Sequence, residues 1–252
     1  MNQVLNVIAN RKSIRSYENT IIEQDIKDKI IESALRAPTA GNMMLYSIIE
    51  VSQQKDKDTL AKTCDNQPFI AKAPMVLIFL ADYQRWYDYF KICGVNEIRQ
   101  PGQGDLMLAC CDALIAAQTS VIAAESLGIG SCYIGDIMEN YQIHKELFDL
   151  PNYVFPITML CFGYPTEQQL NRPLSKRFDK DYICFKDKYK RHSEKDFQNM
   201  YAQRHEQIFG KREEIKGAIN VGQHMYQKKY NSDYARGMNR SVDLILEAWH
   251  KD

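Results

Sequence analysis

A basic segment near the amino end of the chain has the residue types that bind an anion. Residues 11–17 read Arg-Lys-Ser-Ile-Arg-Ser-Tyr, which places three cations and two hydroxyl groups within six positions. If this segment is extended, alternate side chains point to opposite sides, and Arg11, Ser13 and Arg15 share one side. Two guanidinium groups beside a hydroxyl form a receptor for a phosphate or for the anionic edge of a ring. A solvated surface turn is the alternative interpretation of the same composition.

Main chain flanked by glycines in the middle of the sequence favours close approach of a flat or charged group. Residues 105–127 are apolar on almost every side and predict a buried helix. Gly128 stands where a helix C-cap glycine belongs, and the β-prone residues 129–134 end at Gly135. Polar residues interrupt the helix and argue against a membrane span. They are Asp105, Asp112, Gln118 and Glu125.

A loop of small residues follows the first long predicted helix and leaves amide groups available to a ligand. Pro38 ends that helix, and Pro38-Thr39-Ala40-Gly41-Asn42 leads towards a predicted buried strand at residues 45–51. The same composition is typical of an ordinary turn, and the sequence favours neither interpretation over the other.

Composition and missing motifs exclude several classes of chemistry. The 252 residues include 32 basic and 32 acidic ones, and this neutral balance predicts no nucleic-acid or membrane partner. Seven cysteines without a CxxC pair and five histidines without zinc spacing predict no metal site, and they predict a reduced, cytoplasmic protein. No dinucleotide fingerprint, P-loop or GxSxG motif is present. No side chain stands out as an acid, base or nucleophile, so we expect a cofactor to carry the chemistry.

The elements that must position these residues are predicted from apolar periodicity. Helices alternate with buried strands that are expected at residues 45–51, 75–81, 129–135 and 155–162. A capping box at Thr20 and Glu23 predicts the start of the first long helix. This order is typical of an α+β or α/β core that ends near residue 165. The helix-forming residues 166–252 cannot bury enough surface alone, so they must wrap their own core or a partner subunit.

Three segments together resemble the FMN-dependent nitroreductase family: residues 11–17, 37–42 and 124–135. The resemblance runs from residue 3 to about residue 165, and the C-terminal region is similar to the NADPH-preferring branch of the family. It implies an α+β fold of three α-β-α layers with a mixed central sheet. It also implies an intertwined homodimer with two FMN sites at its interface. Residues 1–165 would form the FMN-binding core and residues 166–252 an extension.

The resemblance also implies which residues bind the cofactor. Arg11, Lys12 and Ser13 hold the phosphate and ribityl chain, and Arg15 lies at the pyrimidine edge, where a cation favours negative charge on the reduced ring. The loop at residues 39–42 contacts the flavin of the other subunit. The remaining positions lie along the flavin ring or complete the phosphate site. At the phosphate site, residues 171–173 of this chain are Asn-Arg-Pro, whereas the family often has Lys-Pro-Arg. The implied set is Arg11, Lys12, Ser13, Arg15, Thr39, Ala40, Gly41, Asn42, Gln67, Tyr133, Ile134, Gly135, Arg172, Lys176 and Arg177.

The activity that the resemblance implies is an NAD(P)H oxidoreductase whose chemistry is carried by FMN and by no side chain. Hydride passes from NAD(P)H to flavin N5, and a nitroaromatic, a quinone or a free flavin takes the electrons in a ping-pong sequence. The alternatives are an enone or azo reductase of the same fold, and a flavin-binding protein with little turnover. We expect the chain to prefer NADPH over NADH. This expectation rests on the similarity to the NADPH-preferring branch and on cations suited to bind a 2′-phosphate: Lys190, Arg191, Arg204, Lys211 and Arg212.

Overall fold

The computed structural model describes residues 2–210 and 214–249. The chain divides into two compact units, each of which is described by itself. The first unit comprises the residues up to Pro173 together with those from Gly237 onwards. The second unit comprises Leu174–Arg236.

The first unit extends beyond the boundary at which the sequence analysis divides core from extension. Two features explain the difference. The ammonium group of Lys12 donates to the backbone oxygens of Leu170 and Arg172, both at 2.6 Å. Near the carboxyl end, Ile245 and Trp249 are 2% and 0% exposed because they pack in an apolar cluster of this unit.

Four strands form the centre of the first unit: β1 (Tyr46–Glu50), β2 (Met75–Asp82), β3 (Gly130–Ile134) and β4 (Val154–Gly163). Their spatial order is β1-β2-β4-β3, and each neighbouring pair is antiparallel. A parallel element is added where Ser13 bridges Ser131 of β3. Each strand is the apolar run that the sequence predicts, with small differences at the ends.

Helices cover both faces of this sheet. The α-helices of the described residues, taking the two units together, are α1 (Gln3–Asn10), α2 (Gln24–Leu35), α3 (Gln54–Thr63), α4 (Pro68–Lys72), α5 (Gln84–Ile92), α6 (Gln103–Ser126), α7 (Tyr141–Leu147), α8 (Glu167–Leu170), α9 (Glu194–Ile208), α10 (Val221–Met225) and α11 (Asp233–Trp249). Apolar residues of α2 and α6 pack on one face of the sheet, and those of α3 and α4 pack on the other. The α+β fold of three layers is therefore confirmed.

The first long helix begins later than the sequence predicts. α2 starts at Gln24, and its N-cap Glu23 has an extended backbone and makes no capping bond with its side chain. Thr20 lies outside the helix, so the predicted capping box is wrong. Ile22 is 1% exposed. Because this side chain is buried in the core, it fixes the path of the chain into α2.

The central helix α6 buries one face and exposes the other. Its alanines pack in the core between α2 and the sheet. On the opposite side Met107, Leu108, Leu114 and Ile115 are 65%, 50%, 43% and 41% exposed. The composition predicts that α6 is buried on every side, but within one chain only one face of this helix is buried. By length and mean hydropathy α6 would be able to cross a membrane, but its packed alanine face is that of a core helix.

The second unit is organised around α9 and α10. A small apolar cluster joins Phe209, Ala218 and Val221. A cavity of about 930 Å³ lies between the two helices, and its polar lining includes Arg204 and His205.

Candidate functional site

The basic segment at residues 11–17 is extended and lies against the edge of the sheet. Ser13 forms a parallel bridge with Ser131, and the amide of Ile14 donates to the backbone oxygen of Ser131 at 2.8 Å. Ile14 is 2% exposed and anchors the segment in the core. The polar side chains on either side of Ile14 are therefore held beside β3.

Lys12 and Arg172 join this segment to the chain that follows β4. Lys12 uses two of its three N–H donors on the backbone oxygens of Leu170 and Arg172, at 2.6 Å each. In return, the guanidinium group of Arg172 donates to the backbone oxygen of Ser13 at 2.5 Å. Each cation thus reaches across to the other segment, and the structure brings Arg172 to the basic segment.

Three buried side-chain oxygens in the described residues have no hydrogen-bond partner: Glu125 Oε1, Ser131 Oγ and Thr166 Oγ1. Ser131 and Thr166 both border the basic segment through backbone hydrogen bonds. Burial raises the pKa of Glu125 to about 7, while the nearby charges of Arg11 and Lys12 lower it. Several cations beside unpaired hydroxyl donors fit a cofactor that carries a phosphate, as FMN does.

Arg11 and Arg15 flank β3. Burial raises the pKa of the Cys132 thiol, whereas the charges of Arg15 and Arg11 lower it. Burial also raises the pKa of Tyr133 to about 12, against the effect of Arg11. The hydroxyl of Tyr133 donates to Gln118 at 3.2 Å. Both guanidinium groups are therefore close enough to β3 to act on its side chains.

Gln67 lies beside the turn that follows β3. Its amide nitrogen donates to the backbone oxygen of Cys64 at 2.9 Å and to Oδ2 of Asp136 at 3.3 Å. Asp136 belongs to the 3₁₀ turn Gly135–Met138, which continues directly from β3. The structure thus brings Gln67 to Gly135, although 67 residues separate the two in sequence.

A buried histidine that the sequence analysis assigned no role supports this turn. His144 is 0% exposed. Its Nδ1 lies 2.6 Å from the backbone oxygen of Ile137, and its Nε2 lies 2.8 Å from the hydroxyl of Thr63. Asn140 adds a bond of 2.7 Å to the backbone oxygen of Thr63. The end of α3 is therefore tied to the chain that follows Gly135.

We expect His144 to make the fold sensitive to acid. Burial lowers the pKa of its imidazole below the ordinary value of 6.5. The unfolded chain then binds a proton more readily than the folded chain, so the free energy of unfolding falls as the pH drops through about 6.5. Replacement by glutamine should cost about 1–3 kcal/mol at pH 8 and make the loss on acidification smaller. Urea unfolding at pH 5.5 and pH 8 measures both quantities.

His205→Gln provides the control for removing a histidine, because His205 is exposed in the second unit. Glu125 acts in the opposite direction. Its raised pKa means that its contribution to stability is lost as the pH rises through about 7. Glu125→Gln removes this opposite contribution, and comparing it and His144→Gln with the parent chain at both pH values separates the two groups. An unchanged slope in His144→Gln would show that His144 binds protons equally in the folded and unfolded chains, which contradicts the prediction.

The loop at residues 39–42 lies elsewhere along α6. The amide of Ala40 donates to Oδ1 of Asp112 at 3.0 Å. Asp112 and Glu125 are 13 positions apart on this helix, which corresponds to about 20 Å at ~1.5 Å per residue. The structure therefore does not bring the loop to the basic segment within one chain. The sequence analysis noted Asp112 only as an interruption, although a carboxylate among alanines was the available signal.

The predicted phosphate-binding cations beyond residue 173 lie in the second unit. Lys176 and Arg177 are both exposed there, and their role at the phosphate stays a prediction. The same holds for the cations suggested to meet a 2′-phosphate. Of that group, Lys190, Arg191 and Arg204 are in the second unit, whereas Lys211 and Arg212 lie outside the described residues.

Comparisons with known proteins find similar sequences and structures over most of this chain. A model of the nitroreductase family matches residues 8–164. An FMN reductase (NAD(P)H) of Bacillus subtilis is 33% identical over 176 residues, which are 69% of this chain and 70% of the relative. An NADPH-dependent oxidoreductase of Staphylococcus aureus is 28% identical over 202 residues, or 79% of this chain and 78% of the relative. The solved structure of B. megaterium NfrA2 is 27% identical, with a TM-score of 0.84 over 97% of this chain and 98% of that chain.

Proposed function

Because this chain belongs to the nitroreductase family and is an FMN-dependent NAD(P)H oxidoreductase, we propose that it follows ping-pong kinetics. NAD(P)H and an electron-poor acceptor occupy one pocket in turn, and the acceptor is a nitroaromatic, a quinone or a free flavin. Bound FMN supplies the hydride and electron transfer, so no side chain needs to act as acid, base or nucleophile. The observation that carries the proposal is the meeting of the basic segment, Arg172 and β3 at one edge of the sheet.

Side chains of this edge hold and tune the cofactor in our proposal. Arg11, Lys12 and Arg172 take the phosphate, where each charge-assisted bond contributes ~1.5–3 kcal/mol. Arg15 provides positive charge at the pyrimidine edge and so makes acceptance of hydride easier. Gly135 adds no side chain and leaves the main chain open to the ring, and Gln67 supplies a polar group beside it.

We propose that the chain works as a homodimer with FMN at the interface. The exposed apolar face of α6 supports this, and so does α1, whose Val4, Leu5 and Ile8 are 58%, 53% and 52% exposed. Large exposed apolar faces on a soluble chain are typical of surfaces that another chain covers. The separation of the 39–42 loop from the basic segment adds support, because only a second subunit can bring both to one flavin.

A charge on the exposed face of α6 should separate the subunits. Leu114→Glu would place a carboxylate in an apolar interface without a partner, at a cost of several kcal/mol. We expect a monomer at micromolar concentration that no longer retains FMN. Sedimentation equilibrium and the absorbance ratio of flavin to protein measure the two effects. Ile92→Glu is the control, because Ile92 is 81% exposed on α5 and outside the proposed interface. A dimeric Leu114→Glu variant with a full complement of FMN would contradict this interface.

A cytoplasmic location is also part of the proposal. The cysteines are unpaired thiols, of which Cys64, Cys132 and Cys161 are buried. Free thiols are typical of proteins that stay in a reducing compartment. Fractionation of cells that make the tagged protein tests the location.

The visible spectrum of the purified protein tests the function. We expect a yellow protein that NADPH bleaches without oxygen, and whose colour returns when a quinone or nitroaromatic is added.

Steady-state kinetics test the mechanism and the substrates. Parallel lines in double-reciprocal plots would support ping-pong kinetics, and kcat/KM for NADPH and NADH in the same assay measures the expected preference for NADPH. A panel that includes enones and azo dyes identifies the preferred acceptor. A colourless protein that fails to oxidise NADPH with added FMN would refute the proposal. Retained FMN that no acceptor reoxidises would identify a flavin-binding protein.

A further inference from the structure

Asp112 is a buried carboxylate whose side-chain hydrogen bonds to the described residues all go to one loop. The residue is 3% exposed on α6. Its Oδ1 accepts from the amide of Ala40 at 3.0 Å, and its Oδ2 accepts from the amide of Leu45 at 3.0 Å. The hydroxyl of Thr39 also donates to Oδ2. One side chain therefore ties together both ends of residues 39–45, which we call the 39–45 loop.

The 39–45 loop contains a methionine in a backbone conformation that its residue type does not favour. Gly41, Asn42 and Met44 have φ angles of +56°, +57° and +51°. Residues other than glycine seldom adopt this region, and methionine has no polar group that would stabilise it locally. The amide of Met44 donates to the hydroxyl oxygen of Thr39 at 2.8 Å. Such backbone persists where its surroundings fix it, and it is concentrated at ligand-binding sites.

A second element holds the loop from another side. Nε1 of Trp86 donates to the backbone oxygen of Met43 at 2.7 Å, and Arg85 donates to the backbone oxygen of Met44. Asn42, between the two anchored ends, remains exposed. A rigid loop with an exposed tip is suited to contact a group that lies outside its own chain.

We propose that Asp112 is a positioning residue for the cofactor, which fixes the 39–45 loop in the shape that contacts the FMN of the partner subunit. The inference rests on the proposed function, which places the flavin at the dimer interface. Asp112 acts through the loop and does not touch the flavin. An asparagine cannot replace it, because one acceptor oxygen becomes an amino group that faces the N–H donors of the loop.

Asp112→Asn in the full-length protein tests the role. The protein is stripped of FMN and titrated with FMN, and the visible circular dichroism of the bound flavin is recorded. We expect the Kd to rise about ten- to a hundredfold and the dichroism to change while the dimer persists. Ser120→Ala is the matched control, since Ser120 is 0% exposed on the same helix but bonds only to Ala117 within it, at 2.7 Å. This control should bind FMN as the parent chain does.

The possible results separate the inference from the proposed function. An unchanged Kd and spectrum in Asp112→Asn would overturn the role of Asp112, and so would an equal loss in Ser120→Ala, which would indicate general weakening of α6. If Asp112→Asn does not fold, Asp112→Glu decides, because it keeps the charge but moves the carboxylate oxygens away from the amides of Ala40 and Leu45. The same change in dichroism supports the role, and an unaltered spectrum overturns it. A parent chain that binds no FMN refutes the proposed function itself.

Discussion

Replacing Gly130 with alanine detaches the basic segment from the sheet and yields a protein that does not retain FMN. A Cβ at Gly130 would lie 2.9 Å from Cβ of Ile14 and 2.9 Å from Cγ of Pro165. Carbon atoms that are not bonded prefer separations of about 3.5–4.0 Å, so the neighbours must move. Ile14 is 2% exposed and has no free space to enter. The displacement of Ile14 therefore also moves its neighbours in the basic segment, which include the proposed ligands of the phosphate.

The effect of Gly130→Ala should be large on both stability and binding. Overpacking of this kind costs ~1–3 kcal/mol, and each kcal/mol lowers the melting temperature by roughly 2–4 °C in a chain of this size. The affinity for FMN should fall about a hundredfold or more, because several charge-assisted bonds lose their common geometry together. Scanning calorimetry of the stripped protein and titration with FMN measure the two losses separately.

Gly104→Ala is the matched control for this substitution. Nothing lies within 4 Å of a Cβ placed at Gly104, in the first turn of α6. Alanine is favoured over glycine in a helix by about 1 kcal/mol, so this variant should be as stable as the parent chain or slightly more stable. Unaltered FMN binding in Gly130→Ala would show that the position of the basic segment against β3 does not matter to the cofactor.

Local signals in the sequence predicted most of the fold. The apolar run at residues 75–81 is β2, because a strand buried on both faces needs no polar alternation. Gly128 has a φ of +76° and ends α6, as a C-cap glycine does. Each of these features depends on residues that are neighbours in the chain, and the sequence therefore contains the information.

Features that depend on distant residues were not predictable in the same way. The predicted start of α2 was wrong because the burial of Ile22 outweighs the local capping signal at Thr20 and Glu23. The bonds of Asp112 to the 39–45 loop and of His144 to Thr63 join residues that are 67 to 81 positions apart. The exposed face of α6 was unexpected. An apolar composition indicates that a helix is buried, but it does not indicate whether the covering residues belong to the same chain or to another. The family was recognisable from three separated motifs, but the pairing of Lys12 with the backbone at Arg172 was not.

Replacing Lys12 with methionine should weaken FMN binding about tenfold or more, through loss of one proposed phosphate ligand and of a link between two segments. The ammonium group lies 2.6 Å from each of the backbone oxygens of Leu170 and Arg172. Methionine has a similar length and no charge, so both bonds disappear and the chain after β4 is released. Arg172, which donates to Ser13 at 2.5 Å, then loses its fixed position. Hydrogen bonds to charged groups contribute ~1.5–3 kcal/mol each.

Riboflavin separates the loss of the phosphate ligand from a general effect, because it has the isoalloxazine ring without the phosphate. We expect Lys12→Met to bind riboflavin as the parent chain does while its Kd for FMN rises. Lys55→Met, at an exposed lysine of α3, is the control for removing a positive charge and should leave both Kd values unchanged. Combining Lys12→Met with Arg172→Ala should cost less than the sum of the two single changes, since each residue positions the other. Equal losses for FMN and riboflavin in Lys12→Met would show that Lys12 supports the fold of this edge and does not bind the phosphate.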